Sequence, residues 1–280
     1  MFDSINPPAF IKKKKTIEAP EPWAPLYDTH AHLLSFWDKD PLECLRRARR
    51  AGVDALMTLI DPVGDKMDPA AFSEWLHGSI IDAVPASEIP ALRYLAGVHP
   101  YGALEYTDDV HARIEAALAD PLCAGIGEIG LDYHFDAEDD VSPCDHDVQM
   151  SCMARQLELA CAHNVPVELH LRHEASDEQR TSHLGCYIAY GGAATFKRNT
   201  EVREAFAATP LDCLLFETDC PYMAPEPIRG LECEPAMIGL TARALINDRV
   251  DRTGESAEVI ARAAWDNAQR LFAERPAARA

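Results

Sequence analysis

Leu26-Tyr27-Asp28-Thr29-His30-Ala31-His32 opens on a short strand, Leu26–His30, and ends in an extended pair of imidazoles. Side chains of an extended segment alternate from side to side, so His30 and His32 share one face and can reach one metal ion. Asp28 stands where it can orient a ligand histidine from behind. Further short apolar runs follow at Ala55–Ile60, Tyr94–His99, Ala124–Glu128, Val167–Leu171, Cys186–Tyr190 and Leu214–Thr218. Between these seven strand candidates lie helix signals. Asp40-Pro41 is a cap followed by a first-turn proline, and Gly52 closes that helix. Thr107 precedes Asp108–Ala119, and further helices are expected over Asp145–His163, Thr200–Ala208, Pro235–Asn247 and Ser256–Glu274.

Alternation of near-continuous apolar strands with helices predicts an α/β fold whose parallel sheet is covered on both faces. Its closed form is a (β/α) barrel, in which the C-terminal ends of the strands meet on one catalytic face. Polar groups do stand at those ends: His30 and His32, Asp61, His99, Glu128, His170 and Asp219. Glu128 lies in Gly125-Ile126-Gly127-Glu128-Ile129-Gly130, where glycines allow close backbone approach and a buried carboxylate needs a cation. Asp219 can ligate a metal and accept a proton from water. His99 suits substrate contact rather than metal binding. Asp61 can do either or cap the next segment. Histidines with carboxylates, and no thiolates, suit one or two divalent ions: Zn²⁺, Mn²⁺ or Mg²⁺.

Composition narrows the classes further. The 280 residues carry 46 Asp and Glu against 26 Lys and Arg, a formal charge of −20, so a broad basic face for nucleic acid is excluded. Any phosphate-bearing substrate needs a local cation, which a bound metal supplies. The nine cysteines are scattered without a Cys-x-x-Cys pair, and most read as core residues in a reducing compartment. No apolar run approaches the roughly 20 residues of a membrane span, and Lys12–Lys15 are not followed by the apolar segment of a signal peptide. The expectation is a cytoplasmic protein with no membrane contact and no obligate protein partner. Proline-rich residues 1–25 are expected to be an irregular extension, and residues 26–280 the catalytic barrel.

Asp28-Thr29-His30-Ala31-His32, Gly97-Val98-His99-Pro100, Gly127-Glu128-Ile129-Gly130-Leu131-Asp132, Val167-Glu168-Leu169-His170-Leu171-Arg172 and Glu217-Thr218-Asp219-Cys220-Pro221-Tyr222 occur in this order, and Glu234-Pro235 follows. This series resembles the TatD family of metal-dependent deoxyribonucleases over about residues 26–273. The resemblance implies a TIM-type barrel with a one- or two-metal centre that hydrolyses a DNA phosphodiester by metal-activated water. Carried over by position, it implies that His30 and His32 bind one metal, Glu128 bridges, His170 binds the second and Asp219 completes the first. Asp219 is then the base, and Arg172 and His99 hold the substrate.

The family's sixth strand, which ends in His-Cys-Phe, has no counterpart here. Arg172–Leu184 is polar, with no apolar run. A barrel of about 250 residues spends roughly 31 on each strand–helix unit. The expectation is therefore an incomplete barrel lacking one unit between about residues 172 and 185, through a deletion or a stretch absent from the sequence as read. Alternatively, the barrel is rearranged and His183 or His173 is the substitute ligand. A one-metal centre, or a weak second site, follows. Three functions remain open: a phosphodiesterase, an amidohydrolase-like hydrolase of a small substrate, and an impaired barrel with a structural or binding role.

Overall fold

A computed structural model describes residues 7–134, 144–172 and 186–272. Internal contacts divide the chain into two compact units. One comprises Met1–Thr58, Ile80–Leu92 and Cys186–Leu271; the other comprises Leu59–Ser79, Arg93–Gly185 and Phe272–Ala280.

In the first unit, β1 (Ala9–Lys12) and β2 (Lys15–Glu18) form an antiparallel hairpin, with Ala9 opposite Glu18 and Lys12 opposite Lys15. This corrects the expectation of an irregular leader. The lysine run is a tight turn with Lys13 at positive φ, and alternation turns Phe10 into the core beneath the Arg47 guanidinium while Ile11 faces out. β3 (Leu26–Ala31) is buried along its whole length and pairs in parallel with β4 (Val53–Ile60), from Leu26 opposite Val53 to Ala31 opposite Thr58. The register slips between Asp28 and Ala31, at the histidine-bearing end. β8 (Ile188–Tyr190) and β9 (Leu214–Phe216) form a second parallel pair.

Helix α1 (Pro41–Arg50) starts where the sequence predicts, with the Asp40 carboxylate accepting from Glu43 N. α5 (Thr200–Ala208) and α7 (Ala257–Leu271) also match their signals. The helix expected from Pro235 instead begins as one 3₁₀ turn, Pro235–Met237, and continues as α6 (Ile238–Thr253), closed by Gly254 at positive φ. These helices pack Phe206, Ile238, Leu245 and Ile260 against Leu26, Val53, Leu214 and Phe216.

In the second unit, β5 (Ala91–Ala96, of which the last four residues lie here), β6 (Cys123–Asp132) and β7 (Val167–Arg172) are joined in parallel, with Ala96 opposite Ile126 and Gly130 opposite His170. β5 stops at Ala96, three residues before its predicted end. His99 instead caps a 3₁₀ helix, Pro100–Glu105, because a residue before proline is steered out of helical geometry and the proline then opens the turn. α2 (Pro69–Trp75), α3 (Asp108–Ala117) and α4 (His146–His163) complete the unit. Thr107 caps α3 through Val110 N. The gap expected between 172 and 185, with His173 and His183, lies outside the described residues.

Candidate metal centre

Each of the two units assembles a ligand-capable group from its own residues. The first is His30, His32 and Asp219. β3 delivers His30 near its end and His32 just beyond it, and a β3–β9 connection brings in the acid. Thr29 Oγ1 donates to Phe216 O at 3.1 Å, and Ala31 bridges in parallel to Cys220. Asp219 N donates to His30 O, and His32 N to Cys220 O. Asp219 takes the left-handed conformation, φ 57°. Its Oδ1 stands 3.7 Å from His30 Nε2 and 3.5 Å from His32 Nε2, and those two nitrogens are 2.9 Å apart.

Three donors at these spacings suit one ion. A tetrahedral centre with metal–nitrogen bonds of about 2.0–2.1 Å spreads its ligands roughly 3.3 Å apart. The observed separations of 2.9 to 3.7 Å bracket that figure. Two imidazoles and one carboxylate are donors of the intermediate kind that take Zn²⁺ or Mn²⁺.

Asp28 works beneath this group rather than in it. It is fully buried, and its carboxylate accepts from Thr218 N, Thr218 Oγ1 and His30 N. Burial pushes its pKa up to about 7, against those hydrogen bonds. The orienting role read from sequence is thus directed at the backbone that carries His30 and Asp219.

The second group is His99, Glu128 and His170, whose ligand atoms lie within 4.8 Å of one another. His170 Nδ1 meets Glu128 Oε1 at 2.7 Å, and Nε2 meets Asp132 Oδ2 at 2.9 Å. A ligand histidine commonly holds its second nitrogen against a carboxylate, which fixes the ring, and Asp132 is placed to do this. Burial alone would lower the His170 pKa, but the hydrogen bonds to Asp132 and Glu128 raise it to about 9. The His99 ring stacks edge-on against His170 with centroids 4.5 Å apart, and His99 Nδ1 accepts from Tyr101 N. His99 therefore sits among possible ligands, beyond the substrate role read from sequence. Arg172, half exposed at the end of β7, lies 3.9 Å from Asp132 Oδ2. Asp61 accepts from Val63 N and His99 N, so it shapes the turn and steadies His99.

Two glutamines escaped the sequence reading. Gln149 and Gln156 lie seven residues apart on the buried face of α4, among Cys152, Leu159 and Ala160. Gln149 accepts from Asp132 N and donates to Asp132 O; Gln156 does the same with Val98. Each amide pins the backbone at or beside a site residue. The legible signal was a polar residue at helical spacing on an otherwise apolar stripe. Asp132 was visible within its motif but carried no assigned role.

A family model described as TatD related DNase matches residues 27–182 and 173–273. The uncharacterized metal-dependent hydrolase YabD of Bacillus subtilis is 30% identical over 275 residues, covering 88% of this chain and 98% of that protein. A Cronobacter turicensis protein named 3′-5′ ssDNA/RNA exonuclease TatD is 28% identical over 229 residues, 72% of this chain and 79% of that one. Among solved structures, the TatD homologue YJJV of Escherichia coli aligns with a TM-score of 0.66 at 22% identity, over 88% of this chain and 97% of that one. A TatD family hydrolase of Entamoeba histolytica aligns with a TM-score of 0.69 at 17% identity, over 91% and 100%. These likenesses establish the α/β, TIM-type barrel fold class.

Proposed function

We propose that this chain, which belongs to the TatD related DNase family and is a metal-dependent hydrolase of that family, cleaves phosphodiester bonds in DNA with metal-activated water. The observation that carries the reading is the convergence of His30 Nε2, His32 Nε2 and Asp219 Oδ1 on one point. A divalent ion held there supplies Lewis acidity, a lowered water pKa and charge for the phosphoryl oxygens. His30 and His32 hold it as neutral donors. Asp219 completes the set and takes the proton of the attacking water through its carboxylate. Asp28 and Thr218 keep that carboxylate in place.

In the other unit, Glu128 and His170 are proposed to hold a second divalent ion, with His99 beside them and Asp132 fixing the His170 ring. His99 and Arg172 bind a phosphate group. The donor set fits Zn²⁺, Mn²⁺ or Mg²⁺. Among the described residues no helix is long and apolar enough to cross a membrane. Every cysteine is a free thiol, which supports placing the protein in the cytoplasm.

The test is metal analysis of the purified chain followed by assay on a single-stranded DNA oligonucleotide with Mg²⁺ or Mn²⁺, with and without chelator. Bound metal and chelator-sensitive cleavage are expected. No bound metal after loading would remove every hydrolase reading and leave an impaired barrel. Metal without DNA cleavage, but with hydrolysis of an amide or lactone panel, would favour an amidohydrolase-like enzyme, the reading to which the −20 charge lends weight.

A further inference from the structure

Beside the first ligand group the chain exposes two large rings. Trp37 is 60% exposed and Tyr222 44%. Tyr222 stands edge-on to His32, with centroids 6.0 Å apart at 73°, and Trp37 stands edge-on to Tyr222, 6.4 Å away at 63°. The three rings form a row that starts at a candidate metal ligand and runs outward. Both outer rings are mounted on fixed backbone. Tyr222 N donates to Asp219 O at 2.9 Å, and the amides of Trp37 and Asp38 both donate to Glu232 Oε1. Lys39 Nζ ties the same segment to Glu232 O at 2.8 Å.

Leaving two such rings in water forfeits the free energy of burying them. Their position gives that exposure a use. A nucleic-acid enzyme with a formal charge of −20 gains little from counterion release over a basic surface. Beyond the few phosphates met at a bound metal and at Arg172, its hold on a strand must come from contacts that do not depend on phosphate charge, and stacking of bases on aromatic rings is one, indifferent to base identity. We propose that Trp37 and Tyr222 form a stacking platform for the bases of single-stranded nucleic acid adjoining the phosphate held at His30, His32 and Asp219. This rests on the phosphodiesterase reading. The platform takes unpaired bases, because those of a duplex are stacked on one another. It does not touch the sugar, so DNA and RNA strands serve equally. It also makes binding weakly dependent on salt.

The experiment uses the full metal-loaded chain and a ten-nucleotide oligothymidylate, with oligouridylate, duplex DNA and an abasic deoxyribose-phosphate strand of equal length as further probes. Binding is read by tryptophan fluorescence and anisotropy, and cleavage by KM and kcat. Oligothymidylate and oligouridylate should bind alike and quench fluorescence, and duplex and abasic strands should bind at least about tenfold more weakly. W37A and Y222A should each raise Kd and KM about tenfold or more at unchanged metal stoichiometry, W37F and Y222F should restore most of the loss, and the salt slope should be shallower than that of about two phosphate contacts. Equal binding of abasic and base-bearing strands, or no change in Kd and KM in either alanine variant, would overturn the platform. So would preferential binding of an aromatic peptide over oligothymidylate. If the wild type cleaves no phosphodiester yet binds oligothymidylate through Trp37, the platform stands and the phosphodiesterase reading fails. If it cleaves DNA while W37A and Y222A behave as wild type, the platform alone fails.

Discussion

Thr218 donates both its backbone N–H and its hydroxyl to the carboxylate of Asp28, at 2.9 and 2.7 Å. Asp28 stands two positions before His30 and Thr218 immediately before Asp219, so one buried pair sets the spacing between the histidine strand and the acid. A carboxylate that accepts three protein donors inside the core has no slack, and a shift of either partner moves a ligand.

Asp28→Asn should therefore weaken metal binding at His30, His32 and Asp219 by about 10- to 100-fold, as is usual when a partner behind a ligand is lost. Thr218→Val should have a smaller effect on metal binding and destabilise the protein by about 1–3 kcal/mol, because one buried acceptor loses its donor. Calorimetric titration with Zn²⁺ or Mn²⁺ and denaturant unfolding measure the two effects. Wild-type metal affinity in Asp28→Asn would contradict the positioning role.

Asp219→Asn and Glu128→Gln should each lower kcat by about two orders of magnitude or more, the usual cost of a lost base or a lost charge at a reacting centre. Both substitutions preserve shape, so circular dichroism should change little, and the melting temperature of Asp219→Asn should stay near that of the wild type. Near-normal rates on single-stranded DNA in either variant would remove that residue from the mechanism.

His170 gives the metal-free protein a distinctive pH response. Burial opposes its imidazolium, but Asp132 and Glu128 outweigh that and lift its pKa to about 9. Burial likewise opposes the Asp132 carboxylate, and the hydrogen bonds from His170 and His134 N hold it down at about 2. A histidine raised in the folded state contributes fully below its ordinary value and loses that contribution as pH climbs through about 9. The aspartate contributes above its ordinary value and loses that contribution as pH falls through about 2. Chelator-treated protein should thus soften from neutral pH toward about 9, and His170→Asn should flatten that alkaline limb. A melting temperature independent of pH across that range would disprove the clamp.

Gly130→Ala should be among the most damaging single changes. Gly130 has φ 150°, and a Cβ there would lie 1.9 Å from the His170 carbonyl oxygen. Strand β6 can approach β7 at this register only without a side chain. A loss of about 2 kcal/mol or more is expected from the strain together with the broken pairing beside His170. Thermal unfolding within about 0.5 kcal/mol of wild type would show that the strands can part without cost.

Much of the local structure was legible. Asp40-Pro41 and Thr107 marked helix starts because caps act over one turn of chain, and each apolar run from Leu26 to Phe216 found its strand. The N-terminal hairpin was missed because proline and lysine content hid the alternation of Phe10 and Ile11, which only a packing partner such as Arg47 makes meaningful. His99 was read as a strand end because its apolar lead-in runs on past Ala96, whereas the chain turns there to meet Asp61 and Gln156.

By itself, the sequence determined the α/β class, the family, and which motifs carry histidines and carboxylates on or just past the strands, because periodicity, caps and motifs are written in neighbouring residues. Only the tertiary structure decided that Asp132 and Glu128 clamp His170, that Gln149 and Gln156 hold the strand ends, that Asp28 serves Thr218, and that Trp37 and Tyr222 extend a row from His32. Those pairs lie tens to nearly two hundred residues apart. They exist through strand register and turn geometry, which are fixed when distant segments pack and leave no local trace in either partner's own stretch of chain.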